Sequence, residues 1–144
     1  MTLEILLVED NPGDVRLAQE AFRKLDKDVH LHVAGDGVEA MAYLKRQGEH
    51  ADAPRPALIL LDLNLPLLDG REVLDQIKQD VELKSIPTVI LSSSEAATDI
   101  DASYQRLANC FLTKPVLPEE LDRLVSSINE FWLRNPARSA AVVI

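Results

Sequence analysis

The sequence predicts a doubly wound α/β fold, a five-stranded parallel sheet with five helices on its two faces. Three observations predict it. Short apolar runs alternate strictly with longer amphipathic segments, the pattern of successive βα units. The central runs lack a polar alternation, as at Leu58–Leu61, so both faces of their strands are covered. The chain has 144 residues, 47% of them hydrophobic, which suits one domain with its own core. That domain is expected over residues 1–133, with 134–144 a flexible tail.

Each element has its own justification. Leu3–Val8 (LEILLV) reads as the first strand. Asn11-Pro12-Gly13-Asp14 is a turn that contains a helix start, and Val15, Ala18, Ala21, Phe22 and Leu25 follow at helical spacing. Val29–Ala34 (VHLHVA) alternates and is the second strand. Asp36-Gly37 turns the chain into a helix marked by Val38, Ala40, Met41 and Leu44, and residues 48–56 form a polar loop. Leu58–Leu61 is the third strand, and Arg71–Gln79 a helix with Val73, Leu74 and Ile77 inward. Pro87–Leu91 is the fourth strand, a helix runs from Ser94 or Glu95 to Leu107, and Asn109–Leu112 is the fifth strand. Pro118 opens the last helix, Glu119–Trp132, whose apolar stripe includes Leu121, Leu124, Val125 and Ile128.

In such sheets a ligand sits beyond the carboxyl ends of the strands, where the strand order reverses. Those ends carry Glu9-Asp10, then Asp62 with Asn64 two residues on, then Ser92, then Lys114. In a flavodoxin-like order, 2-1-3-4-5, the first and third strands are neighbours and Glu9, Asp10 and Asp62 share one crevice. Three carboxylates so placed repel one another, and either protonation or a cation relieves them. Their hard oxygens match a divalent metal, Mg²⁺ above all. A metal, the Lys114 ammonium and the Ser92 hydroxyl together make a clamp for a phosphoryl group, with Asp62 free to attack phosphorus.

The motifs LLVEDN, LILLDLNLPLLDG, PTVILSSS and FLTKP, in this order and spacing, resemble the receiver domain of two-component response regulators, the CheY-like family. The likeness runs over roughly residues 3–132. It implies that Asp62 is the phosphoacceptor. It also implies that Mg²⁺ is held by the side chains of Asp10 and Asp62, by the Asn64 backbone carbonyl and through water by Glu9. Lys114 would pair with the phosphoryl group, Ser92 and Phe111 would form the switch, and the Lys114–Pro115 peptide would be cis. Phe111 stands where the family often has an aromatic and carries no phenol hydroxyl to hydrogen-bond, and a plain core phenylalanine is the competing reading. Leu107 stands where many receivers have glycine.

The net charge of −9 argues against nucleic acid as a partner. No apolar run has bilayer length, no signal peptide is apparent, and the single Cys110 fits a reducing compartment, so a cytoplasmic protein without a membrane partner is expected. His30 and His32 share a face of the second strand. With no third ligand evident near them, they read as surface residues of an edge strand.

Too few residues follow Trp132 for an output domain, so signalling through protein contacts is expected. Phe131 and Trp132 are adjacent near the end of the last helix and diverge by about 100°, which turns one outward toward an interface. NCFLTKP and the closing FWL are similar to single-domain regulators partnered with cyanobacterial phytochromes. That implies a phytochrome sensor histidine kinase as donor and a homodimer on the face of helix 4, strand 5 and helix 5. Three alternatives stand beside this. An unphosphorylated scaffold would keep the fold without the switch. A haloacid dehalogenase-like phosphatase would need its nucleophile near the N-terminus in a D-x-D pattern. An FMN-binding flavodoxin would need a phosphate loop where Glu9-Asp10 stands.

Overall fold

The computed structural model describes residues 3–24, 28–63, 65–92, 110–113, 117–120, 122, 123 and 126; at 92 and 110–113 the backbone is described. Five parallel strands lie in the order β2-β1-β3-β4-β5, which is the predicted order. They are β1 (Leu3–Val8), β2 (Val29–Ala34), β3 (Leu58–Asp62), β4 (Thr88–Ser92) and β5 (Cys110–Thr113). Between them run α1 (Pro12–Arg23), α2 (Gly37–Leu44) and α3 (Gly70–Gln79). Backbone at 118–120, 122, 123 and 126 is helical, where the last helix is expected. The helix expected between β4 and β5 lies outside the described residues.

Register explains the absence of polar alternation. Ile5 pairs with Leu58 and Leu6 with Ile59, so successive side chains on both strands enter opposite layers. Ile5, Leu7, Leu58 and Leu60 pack with Ala21 and Phe22 of α1. Leu6, Val8, Ile59 and Leu61 pack with Met41 and Leu44 of α2 and with Val73, Leu74 and Ile77 of α3. Each fully buried aliphatic side chain contributes about 1.5–3 kcal/mol relative to exposure.

Several boundaries differ from the sequence expectation, β4 and β5 each lying one residue later and α3 starting one residue earlier. α1 starts at Pro12, three residues before its first apolar position, because the Asn11 side chain accepts from the N–H groups of Gly13 and Asp14. β3 continues to Asp62, which pairs with Leu91. A 3₁₀ turn, Gly48–His50, interrupts the loop before β3.

At the opposite end of the sheet from Asp62, Glu4 of β1 is the register partner of His30 on β2. His30 Nδ1 lies 3.2 Å from Glu4 Oε1 and His32 Nε2 lies 2.6 Å from Glu4 Oε2. The hydrogen bond from His32 is the main cause that holds the Glu4 carboxyl below its ordinary value of 4.5. A lowered folded-state pKa stabilises the fold above the ordinary value, and that contribution is lost as pH falls through the folded value. The stability gap between the wild type and Glu4→Gln is therefore expected to shrink as pH drops below 4.5. Urea unfolding at a series of acid pH values measures it; a gap independent of pH would remove Glu4 from the acid response.

Candidate functional site

The site lies at the carboxyl edge of β1 and β3. One residue beyond the Val8–Leu61 pair stand Glu9 and Asp62. The Glu9 N–H donates to the Ala34 carbonyl at 3.0 Å, which extends the β1–β2 ladder and fixes the backbone from which Glu9 projects. Glu9 is 2% exposed and Asp62 4%, whereas Asp10 faces solvent. One carboxylate oxygen from each of Glu9, Asp10 and Asp62 lies within 4.8 Å of the others.

The first helix begins against this cluster. The Asn11 N–H donates to Glu9 Oε2 at 3.2 Å while the Asn11 side chain caps α1. The positive end of the α1 dipole thus faces three acids and offsets part of their repulsion. The remainder suits a cation. The donor set is oxygen only, one ligand is open to water, and Mg²⁺ takes a few carboxylates while keeping several waters. The residues present fit that ion.

The β3–α3 connection closes the other side. The Leu68 N–H donates to the Pro66 carbonyl at 2.8 Å, and the intervening Leu67 has φ +66°, which makes a γ-turn of the rare, strained hand. Leu67 is also 81% exposed. Leu67→Gly removes the Cβ penalty at this φ and is expected to stabilise the fold by roughly 1 kcal/mol. A raised urea midpoint with an unchanged slope is the reading; an unchanged or lowered midpoint would mean that Leu67 packs usefully.

Asp69 then accepts from the Arg71 N–H at 2.8 Å and caps α3. The Gly70 N–H donates to the Leu63 carbonyl at 3.0 Å, which draws the α3 start onto the end of β3. A Cβ on Gly70 would stand 2.3 Å from the Asp62 carbonyl oxygen and 2.6 Å from Leu63 Cα. A Cβ on Gly37, at the start of α2, would stand 2.2 Å from the Leu68 carbonyl oxygen. Two glycines therefore let α2 and α3 close on the loop that leaves Asp62.

Of the residues expected to form the site, the structure brings Glu9, Asp10 and Asp62 together. The backbone of Ser92 closes β4 and pairs with Thr113, and that of Phe111 pairs with Ile90. The side chains of Ser92 and Phe111, and Asn64, Lys114, the Lys114–Pro115 peptide, Phe131 and Trp132, lie outside what the structure describes. Sequence reasoning read both Asp36-Gly37 and Asp69-Gly70 as turn chemistry alone and passed over Leu67. A glycine directly after a capping aspartate on the chain leaving Asp62 was the available signal for Gly70.

Residues 5–126 match the family model described as the response regulator receiver domain. The chain is 49% identical over 137 residues to the response regulator Rcp1 of Synechocystis sp., covering 95% of this chain and 93% of that one. Among solved structures it is similar to the Mn²⁺-bound form of Rcp1, with 48% identity, a TM-score of 0.75 and coverage of 96% of this chain and 99% of that one. It is equally similar to the phosphorylated cyanobacterial phytochrome response regulator RcpA, with 48% identity, a TM-score of 0.78 and coverage of 97% and 100%.

Proposed function

Because the chain belongs to the response regulator receiver family, we propose that Asp62 is the residue that accepts its phosphoryl group. In the transfer from a sensor histidine kinase, the P–N bond of the donor's phosphohistidine breaks as a P–O bond to an Asp62 carboxylate oxygen forms. Asp10 and Asp62 hold Mg²⁺ through their side chains, Asn64 through its backbone carbonyl and Glu9 through water. Bound Mg²⁺ supplies positive charge to the phosphoryl oxygens. Lys114 pairs with the transferred group, and the chain promotes its own phosphorylation and dephosphorylation. Ser92 and Phe111 carry the response into the β4–β5 side of the sheet. The observation that carries this reading is the burial of Asp62 within reach of Glu9 and Asp10 at the carboxyl edge of the sheet.

The donor in this reading is a phytochrome kinase. The likeness to Rcp1 and to the phytochrome response regulator RcpA supports it. The receiver occupies residues 1–133, with 134–144 as a tail. Output runs through protein contacts, including a homodimer on the face of helix 4, strand 5 and helix 5 in which Phe131 and Trp132 take part. A cytoplasmic setting is part of this reading. None of the described helices is long and apolar enough to cross a membrane.

The test needs no partner. The pure chain is incubated with acetyl phosphate, with and without Mg²⁺, and followed by intact mass and sedimentation. A Mg²⁺-dependent gain of one phosphoryl group is expected, with a change in sedimentation if phosphorylation controls the dimer. No gain from acetyl phosphate or from a phytochrome kinase would leave a receiver-fold scaffold.

A further inference from the structure

The β2 strand is an unguarded sheet edge. In the order β2-β1-β3-β4-β5 it has β1 on one side and, among the described residues, no strand on the other. It runs for six residues in unbroken register with β1, and VHLHVA holds neither proline nor lysine. Shortness, lysine, proline and bulges are the devices that keep an edge from pairing. The opposite edge has two of them close by, since β5 is four residues long and Lys114-Pro115 follows it. We propose that β2 pairs antiparallel with β2 of a second copy of this chain, about a two-fold axis through Leu31.

The backbone is self-complementary in one register. The Leu3 N–H donates to the Asp28 carbonyl at 2.8 Å and the Glu9 N–H to the Ala34 carbonyl at 3.0 Å. Even-numbered residues of this strand thus direct their peptide groups at β1, and Val29, Leu31 and Val33 direct theirs outward. Among the described residues no hydrogen bond reaches that outer side. With Leu31 opposite its own copy, Val29 falls opposite Val33, and every outward N–H and C=O of both strands finds a partner. The next registers in phase leave Val29 or Val33 beyond the end of the opposing strand.

The side chains agree with that register. Val29 and Leu31 pack on the layer that contains Phe22. Val33 has the same phase along the strand and is 37% exposed. The pairing therefore sets valine against valine and leucine against leucine on that face, cross-strand contacts that favour association. On the other face His30 stands opposite His32, and the strand holds no Lys, Arg, Asp or Glu to oppose a like charge. Each of these pairings reads the same from either chain, as a two-fold interface requires. That symmetry makes a second copy the occupant. The contact lies at the far edge of the sheet from β5, so it is separate from a dimer on helix 4, strand 5 and helix 5.

The test is amide hydrogen exchange of the unphosphorylated full chain, read residue by residue by NMR at low and high chain concentration. Physiological salt screens the repulsion between two chains of net charge −9 beyond about 8 Å. The Val29, Leu31 and Val33 amides should exchange quickly in dilute solution. They should slow about tenfold once about nine-tenths of the chains are paired, because exchange then proceeds from the free fraction. The His30, His32 and Ala34 amides, bonded to β1, should be protected at both concentrations. Val33→Lys sets a charge opposite Val29 of the second copy at a position already open to solvent. It should fold like the wild type and lose the concentration dependence. Fast exchange of the three outward amides at every concentration would overturn the proposal, even beside a dimer in sedimentation, since that dimer would use another face. So would slow exchange already present at dilution, the mark of an edge covered within one chain, or the same slowing in Val33→Lys.

Discussion

Asp62→Asn is expected to abolish phosphorylation by acetyl phosphate while the domain stays folded. The amide has nearly the shape of the carboxylate, so Leu61, Leu63 and the start of α3 keep their packing. It lacks the anionic oxygen that attacks phosphorus. It also removes one of three negative charges whose oxygens lie within 4.8 Å of one another, which relieves part of their repulsion. Its unfolding free energy should lie within about 1 kcal/mol of the wild type or above it. Intact mass after incubation with acetyl phosphate and Mg²⁺ reads the chemistry, and thermal unfolding reads the fold. Persistent addition of one phosphoryl group would place the acceptor on another side chain.

Gly70→Ala should be among the most damaging single-methyl changes near the site. The added carbon would stand 2.3 Å from the Asp62 carbonyl oxygen, 2.6 Å from Leu63 Cα and 2.9 Å from the Leu63 carbonyl oxygen. All three are backbone atoms at the end of β3, so no side chain can rotate away. Either α3 backs off the sheet, opening the layer around Val73 and Leu74, or the Asp62 backbone moves. An overpacking cost of about 2–3 kcal/mol is expected, a fall in melting temperature of roughly 5–10 °C for a chain of this size. Phosphorylation should slow as well, because the acceptor is displaced. Gly35→Ala is the control, since its Cβ would meet only the Glu39 carboxylate at 3.8 Å. Equal melting temperatures for the two variants would mean that the α3 start yields easily.

The sequence spoke clearly wherever one local rule decided the outcome. The unbroken run Leu58–Leu61 announced a central strand, and an acid at its end announced a compensated charge. Val73, Leu74 and Ile77 marked the inner face of α3, and all three are buried. The Asn11 cap shifted the start of α1 because apolar spacing locates only the part of a helix that touches the core. Register was harder to read. Nothing near His30 and His32 in the sequence points to Glu4, which stands 26 and 28 residues away and arrives only when β1 and β2 pair in parallel. Gly37 and Gly70 were hidden for a similar reason: each is required by a backbone approach that exists only after the helices dock. Leu67 runs against local preference, since a leucine at positive φ is disfavoured by its own Cβ.

The strand order also bears on how the protein is made. β2 pairs with β1, β3 joins the free side of β1, β4 joins β3 and β5 joins β4. After the first pair forms, every new strand adds to one growing edge, and none must be threaded between strands already joined. The sheet can therefore be laid down in the order in which the ribosome releases it. Residues 3–63 contain β1, β2 and β3, the three adjacent strands, and with them Glu9, Asp10 and Asp62. The acidic crevice is thus encoded in the first half of synthesis, before β4 and β5 exist.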